Sequence, residues 1–373
     1  MIKELLLFIS NYGTLYLTKE YSILERSDVS CMTCYKPLKG FLLGVKPNGK
    51  MDLKITSNKV NHLESNGNDN WIPSYYKARS INYNKVIYDY IDIPCGRCIG
   101  CRLDKSREWA SRCMFELQYH DSSYFVTLTY DDEHVHHSEY IDDEGTYQDV
   151  LTASKRDFQL FMKRLRKSFP EQKIRYFACT EYGENTARPH AHAILFGLSL
   201  DDLEPLFVSE LGDRLYTSKK LEKIWQNGLV SIGAVTFESC AYVSRYVTKK
   251  QYGQNAEVYK KYNIEPESAL MSLKPAIGRQ FYEDNPHKLF TYEKNFISTP
   301  KGGRPVVAPR YFKKLYEADF PELYERYHEK NVDNGKNRKI LLSELSDKDY
   351  YDILLTENNV LEEKSKILLR SDI

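Results

Sequence analysis

His190 and His192 are separated by one residue. On a β-strand, side chains alternate between faces, so that spacing sends both imidazoles to one side. Glu181 lies nine residues before His190, at the end of another strand-like run, where a hairpin would lay its carboxylate beside them; Glu184 is the fallback. Two imidazoles and a carboxylate with open positions form a donor set for a catalytic divalent ion. Imidazoles suit Mn²⁺ or Zn²⁺ better than Mg²⁺, but cellular abundance favours Mg²⁺, with Mn²⁺ able to replace it. Tyr242 and Tyr246 are four apart and Lys249 follows three later, so a helix would place all three on one side. A phenol with a pKa of about 10 is a poor nucleophile at neutral pH. A cation such as Lys249, with a metal polarising the target, would supply the help it needs. Attack on a DNA phosphodiester would leave a phosphotyrosyl ester and a free 3′-hydroxyl, and resealing would need no ATP. Two phenols would allow two successive transfers. With 30 Tyr in the chain, chance pairs at this spacing are expected, so the weight rests on coincidence with the histidines.

Cysteine spacing marks a second site. Cys31 and Cys34 form one CxxC, and Cys95, Cys98 and Cys101 form a tight second group. Paired CxxC units read as a tetrahedral zinc site. The glycines at 96 and 100 permit tight turns around a metal. Five candidates for four places leave Cys31 or Cys101 spare, and reduced or redox-active thiols are the alternative. Cys113, Cys179 and Cys240 are isolated and read as core residues.

Elements able to position these residues follow from periodicity. Residues 1–94 read as irregular, with Ser57–Trp71 a loop. Asp104–Gln118 reads as a helix and Tyr124–Tyr130 as a strand. Asp131–Asp149, with His134, His136 and His137, reads as a solvated acidic loop. A helix capped by Thr152 or Ser154 buries Phe158, Phe161, Met162, Leu165 and Phe169. Its other face carries Lys155, Arg156, Lys163, Arg164, Arg166 and Lys167, read as a DNA phosphate-contacting face rather than a merely solvated one. Lys173–Glu181 and Pro189–Gly197 read as paired strands. Thr217–Asn227 reads as a short helix closed by Gly228, Leu229–Phe237 as a strand and Glu238–Lys250 as a helix. After Gly253 the pattern loosens until the charged helical stretches at 310–329 and 339–369. The sum is an α+β chain: a mostly antiparallel sheet flanked by helices, with a Cys-rich N-terminal segment and a helical C-terminal region. Segments 1–115, 116–253 and 254–373 are the expected divisions.

Composition narrows the class. The 373 residues carry 53 Lys plus Arg against 52 Asp plus Glu, which excludes a uniformly basic nucleic-acid coat but not a local basic face. No apolar run reaches the roughly 20 residues of a membrane helix. The opening MIKELLLFIS is short, carries Glu4 and lacks a small-residue cleavage site, so it does not read as a signal peptide.

The order of these motifs resembles the HUH endonucleases that initiate rolling-circle replication, and more narrowly the replication initiation proteins of microviruses of the gokushovirus kind. The match is carried by CGRCIGCRLDKSREWASRCMFE at 95–116, FVTLTY at 125–130, EYGENTARPHAHAILFG at 181–197, YVSRYVTKK at 242–250, LMSLKPAIGRQFY at 270–282 and APRYFKKLY at 308–316. It implies that His190 and His192, with Glu181, hold the metal, that Tyr242 and Tyr246 are the nucleophiles, and that Lys249 is the lysine following them. It further implies binding of an origin hairpin or single strand, recruitment of a host helicase, extension by the host polymerase and a setting in the host bacterial cytoplasm. Ala191 is small for the hydrophobic centre of the histidine motif, and the N-terminal 90 residues match poorly. A non-catalytic zinc-dependent nucleic-acid binder and an HUH transposase are the rival readings. Plasmid relaxases place the nucleophile before the histidines, the reverse of the order here.

Overall fold

The computed structural model describes residues 34–47, 49–65, 67, 70–76, 85–183, 187–209, 212–247, 256–292, 295–299 and 302–369; side chains of 246, 247 and 365–369 are not among those described. Backbone contacts divide the chain into two units. One comprises residues up to Asp104 and from Arg326 onward, the other Lys105–Glu325.

The first unit contains β1 (Leu38–Val45), β2 (Met51–Thr56), β3 (His62–Ser65), β4 (Trp71–Ser74), β5 (Lys85–Ile87) and β6 (Tyr90–Ile93). They form two three-stranded sheets, ordered β2-β1-β6 and β4-β3-β5. The stretch expected to be irregular is therefore largely strand. Its strands are short, and β3 reads His-Leu-Glu-Ser although all four residues are buried. A buried strand of polar residues carries no apolar signature. His62 and Glu64 satisfy each other there at 2.5 Å. The core is small, with Phe41, Val60 and Leu63 fully enclosed.

The second unit is built on a seven-stranded antiparallel sheet. Its elements begin with α1 (Ile99–Leu117), which runs into it, then β7 (Ser123–Tyr130), β8 (His136–Ile141), β9 (Tyr147–Thr152), α2 (Lys155–Ser168), β10 (Arg175–Tyr182) and β11 (Pro189–Phe196). There follow β12 (Leu203–Val208), β13 (Arg214–Ser218), α3 (Lys219–Trp225), β14 (Gly228–Gly233), α4 (Phe237–Val247), α5 (Glu257–Lys261), β15 (Ser268–Met271), α6 (Arg279–Asp284), α7 (Lys288–Thr291), β16 (Asn295–Thr299), β17 (Gly302–Val306) and α8 (Arg310–Asp319). Two further helices, α9 (Pro321–Glu344) and α10 (Tyr350–Leu369), complete the described chain. The large sheet runs β12-β13-β14-β7-β11-β10-β15.

Alternation along the central strands gives the sheet two apolar faces. Val126, Leu128, Ala191, Ala193 and Leu195 meet Phe158, Phe161, Met162 and Leu165 of α2 and Trp225 of α3. On the other face Phe177, Cys179, Ile194 and Phe196 meet Cys113 and Phe115 of α1 and Phe237, Cys240 and Val243 of α4. Cys113, Cys179 and Cys240 thus lie in the core, as their isolation suggested.

Three sequence expectations are corrected. The stretch from Asp131 contains the β8–β9 hairpin, and its histidines do not cluster. His134 pairs with Asp131, His136 with Asp157 and His137 with Asp149. The pattern does not simply loosen after Gly253, since β15 adds a strand beside β10. Helix α3 ends at Gln226 in the left-handed region, not at Gly228. Gly228 serves the sheet instead: its φ is 136°, and a Cβ there would lie 2.4 Å from the Asp131 backbone nitrogen and 2.5 Å from the Thr129 carbonyl oxygen. Gly228→Ala is expected to destabilise this unit by at least about 2 kcal/mol, combining backbone strain with overpacking, as read from the urea midpoint.

Candidate active site

The face of the sheet under α1 and α4 carries the chemistry. In the β10–β11 register Glu181 lies opposite His190, and Cys179 opposite His192. The Glu181 carboxylate reaches diagonally to His192, its Oε1 lying 2.8 Å from Nε2, and both residues are nearly enclosed, 3% and 5% exposed. On the far side of β11 the register sets Thr129 against His190 and Thr127 against His192. Their hydroxyls lie 3.3 Å and 2.9 Å from the respective Nδ1 atoms. A hydroxyl can donate to Nδ1 or accept from it, so it supports either imidazole tautomer. The Phe125 ring stacks on His192 at 5.9 Å.

Helix α4 brings the phenol. Thr236 and Ser239 cap it reciprocally, each hydroxyl accepting the other's backbone N–H. Ser244 fixes it against α1, donating within reach of the Ser106 carbonyl at 3.1 Å, while the Ser106 hydroxyl donates to the Ala241 carbonyl at 2.9 Å. With the helix so held, the Tyr242 ring meets His192 edge to face at 5.2 Å and Phe125 at 6.0 Å. The Arg245 guanidinium stands 5.7 Å from the Tyr242 ring centre. Tyr246 belongs to the same helix, but its side chain lies outside the described residues, as do Lys249 and Glu184.

The two imidazoles differ. His190 stands 6.2 Å from His192 between ring centres, and a Cβ on Gly183 would lie 3.4 Å from its Nε2. Burial, reinforced by the neighbouring His192, lowers the pKa of His190 from its ordinary 6.5. The neutral, ligating form is therefore the one favoured down to below that value. The expected result is that His190 in the metal-free protein titrates below 6.5, followed by ring ¹⁵N shifts in NMR.

Of the six basic residues on α2, all lie on the helix that covers the opposite face of the sheet. Arg164 donates to the carbonyls of Ile224 and Trp225, both at 2.7 Å, closing the end of α3. Arg166 donates to the Ile174 carbonyl. Lys155, Arg156, Lys163 and Lys167 are exposed. The 270–282 motif also has a structural account. Arg112 and Glu116 of α1 grip its backbone, the guanidinium on the Ile277 carbonyl and the carboxylate on the Gly278 N–H.

In the first unit the sulfurs of Cys34, Cys95, Cys98 and Cys101 all lie within 4.8 Å of one another, the one such gathering of metal-ligating donors among the described residues. Cys34 and Cys98 are 3.9 Å apart, and Cys95 and Cys101 4.0 Å. A zinc tetrahedron with bonds of about 2.3 Å has sulfurs about 3.8 Å apart. Backbone N–H groups of Arg97 and Cys98 turn to the Cys95 sulfur across Gly96, whose φ is 73°. Gly100, by contrast, sits in the first turn of α1. Hydrogen bonds from the Cys101 and Cys34 thiols hold Cys98 well below the usual thiol pKa, while Cys101 is driven far above it by sharing its proton with Cys34 and Cys98. The cluster can thus hold a structural metal such as zinc, with Cys101 as a member; Cys31 lies outside the described residues.

What sequence reasoning missed at the candidate active site is the ring of supporting residues: Phe125, Thr127 and Thr129, and Arg245. Alternation along FVTLTY, set in register with the histidines, could have found the first three.

The comparisons define a class. A family model described as replication-associated protein ORF2 matches residues 123–251, a stretch that begins with β7 and includes α4. The replication-associated protein ORF2 of Spiroplasma virus 4 is 33% identical over 296 residues, covering 78% of this chain and 88% of that one. The replication-associated protein VP4 of Bdellovibrio phage phiMH2K is 33% identical over 68% of this chain and 76% of its own, and ORF4 of Chlamydia phage 1 is 28% identical over 62% and 55%. No solved structure matches. The chain belongs to this family of phage replication-associated proteins, and its role is that of a phage replication initiator.

If Thr127 and Thr129 orient the imidazoles, replacing both by Val should weaken Mn²⁺ binding by about 10–100-fold, as loss of outer-shell partners does. Calorimetric titration with Mn²⁺ reads this directly, and Ser at both positions should restore it.

Proposed function

We propose that the protein is an HUH-type, two-tyrosine endonuclease and strand transferase that nicks and rejoins single-stranded phage origin DNA. The observation that carries this reading is the Tyr242 ring packed at 5.2 Å against His192, whose other edge meets the buried Glu181 carboxylate. Glu181, His190 and His192 fit a divalent cation, Mg²⁺ or Mn²⁺: a desolvated carboxylate touches one imidazole, a second projects from the same strand face, and both are tethered at Nδ1. When bound, the cation would polarise the scissile phosphate. Tyr242 or Tyr246 attacks phosphorus and breaks the bond to the 3′ oxygen. The tyrosine keeps the 5′ phosphate, and the departing 3′-hydroxyl takes a proton and becomes the primer. The second tyrosine repeats the transfer on the regenerated origin, and the free 3′-hydroxyl attacks the first phosphotyrosine to close the circle.

Arg245, near Tyr242, and Lys249 provide positive charge for a developing phenolate. Origin DNA is the substrate, host helicase and polymerase are the partners, and the host bacterial cytoplasm is the setting. No helix among the described residues is long and apolar enough to cross a membrane. The four-cysteine cluster carries structural zinc. The rival reading as a zinc-dependent binder without catalysis draws on that cluster, and it predicts no covalent product. The test is incubation with single-stranded origin DNA and Mn²⁺, followed by denaturing electrophoresis. A covalent adduct abolished by chelator is expected; intact DNA under all ionic conditions would overturn the reading.

A further inference from the structure

A cleft of about 440 Å³ opens at the edge of the large sheet, lined by Arg166, Arg175, Tyr176, Ser272 and Lys274 with the rim residue Leu273. It contains three cations and no acid in its lining. Its surroundings extend the same charge: residues 155–175 hold eight Lys or Arg against two Asp or Glu, in a chain whose total is +1. Such segregation concentrates the positive field on one surface.

The cations are not equivalent. Arg175 is ion-paired with the buried Glu116 and donates to the Pro275 carbonyl, so it shapes the wall. Arg166 is held in place. It donates once, to the Ile174 carbonyl at 3.2 Å, and its guanidinium lies 5.5 Å from the Tyr176 ring centre. A guanidinium has five N–H donors, so several remain for an oxyanion. Lys274 is exposed and makes no hydrogen bond or ion pair among the described residues. The floor between them is firm: Ser272 donates its N–H to the Tyr176 carbonyl and accepts the Tyr176 N–H on its hydroxyl. An oriented guanidinium facing a free ammonium across a cleft, with an exposed Leu at the rim, suits a chain of phosphates separated by apolar sugars.

We propose that this cleft is a second, non-catalytic binding site for the phosphodiester backbone of DNA, with Arg166 and Lys274 as its phosphate contacts. The proposal rests on the nicking reading for its choice of DNA as the polyanion. Tyr176 precedes Glu181 by five residues on β10, about 17 Å at 3.3 Å per residue, and points to the other face. DNA engaged at the tyrosines must therefore pass the β15 edge to reach the cleft, a path longer than about five nucleotides at 3.4 Å each. The site would hold flanking DNA while the tyrosines work on the scissile phosphate.

The experiment measures binding alone. The Tyr242→Phe, Tyr246→Phe chain is titrated without divalent ion against fluorescent origin DNA, one set of oligonucleotides ending within four nucleotides of the nick and one extending beyond fifteen. Lys274→Gln, and Arg166→Gln with Lys274→Gln, are compared with that parent. On the long DNA we expect about tenfold weaker binding for the double variant, and a salt slope shallower by about one for each contact removed. On the short DNA the affinities should coincide. Single-stranded and duplex flanks are run separately, and loss on either supports the site and names the form it holds. Unchanged affinity and slope on all long substrates, or equal losses on short and long, would overturn it. Lys274→Gln alone, at an exposed position, keeps the test valid if the double variant misfolds. Because no cleavage is read, the cleft can fail while nicking stands, and the reverse.

Discussion

The Tyr242→Phe, Tyr246→Phe variant should lose covalent adduct formation by about 10³-fold or more, the scale seen when a nucleophile is removed from an active site. The exchange deletes one oxygen from each residue and leaves the rings. The edge-to-face packing of position 242 on His192 and Phe125 survives, so the fold and the DNA-binding surface should be retained. Single variants separate the roles. If the phenols act in succession, each single Phe variant should still form an adduct but fail to complete strand transfer, leaving linear product. Mass spectrometry of the adduct then identifies the linked residue. An adduct undiminished in the double variant would remove both tyrosines from the mechanism, whatever the metal dependence.

How much of this site could be read from sequence depends on the range of the interactions that make it. Alternation along a strand is local, so the shared face of His190 and His192 was legible, as was the hairpin bringing Glu181 to them. Helical spacing was equally local, and α4 appears within three residues of its expected end. What escaped was register. Nothing in FVTLTY says that Thr127 stands opposite His192 rather than one residue away, because strand pairing between β7 and β11 joins segments 61 to 65 residues apart. The same applies to β15, four residues long, which belongs to the sheet only because β10 pairs with it and because Glu116 and Arg112 hold the following turn. The basic face of α2 shows a different limit. Amphipathicity said which side is polar, but the side of the sheet it covers is a tertiary fact, and it is not the tyrosine side. Arg164 looked like a phosphate contact by composition and is a helix cap by geometry.

Removing metal from the cysteine cluster should unfold the segment it closes. Cys34 is 61 residues from Cys95, and between them lie six strands sharing a core in which few residues are fully enclosed. A core of that size gives little stability by itself. The helical residues packed with it add polar links, Lys339 and Tyr351 both donating to Asp92, and such contacts contribute modestly. Metal binding to the folded form alone adds about 4 kcal/mol when free metal is a thousand times its Kd. At 2–4 °C per kcal/mol, its loss should lower the melting temperature of this unit by roughly 8–16 °C. Cys98→Ser is the sharper variant. Cys98 is the thiol the cluster holds most easily ionised, through bonds from Cys101 and Cys34, so its loss takes away the thiolate on which metal capture begins. The expected results are one zinc per chain in the parent by atomic emission, none in Cys98→Ser, and selective proteolysis between residues 35 and 94. Falling pH should act in the same direction, because thiolates reprotonate and release the ion. A parent chain isolated without metal, and unchanged in melting by added zinc, would reduce the four sulfurs to a buried thiol cluster and leave the stability of this unit to its packing alone.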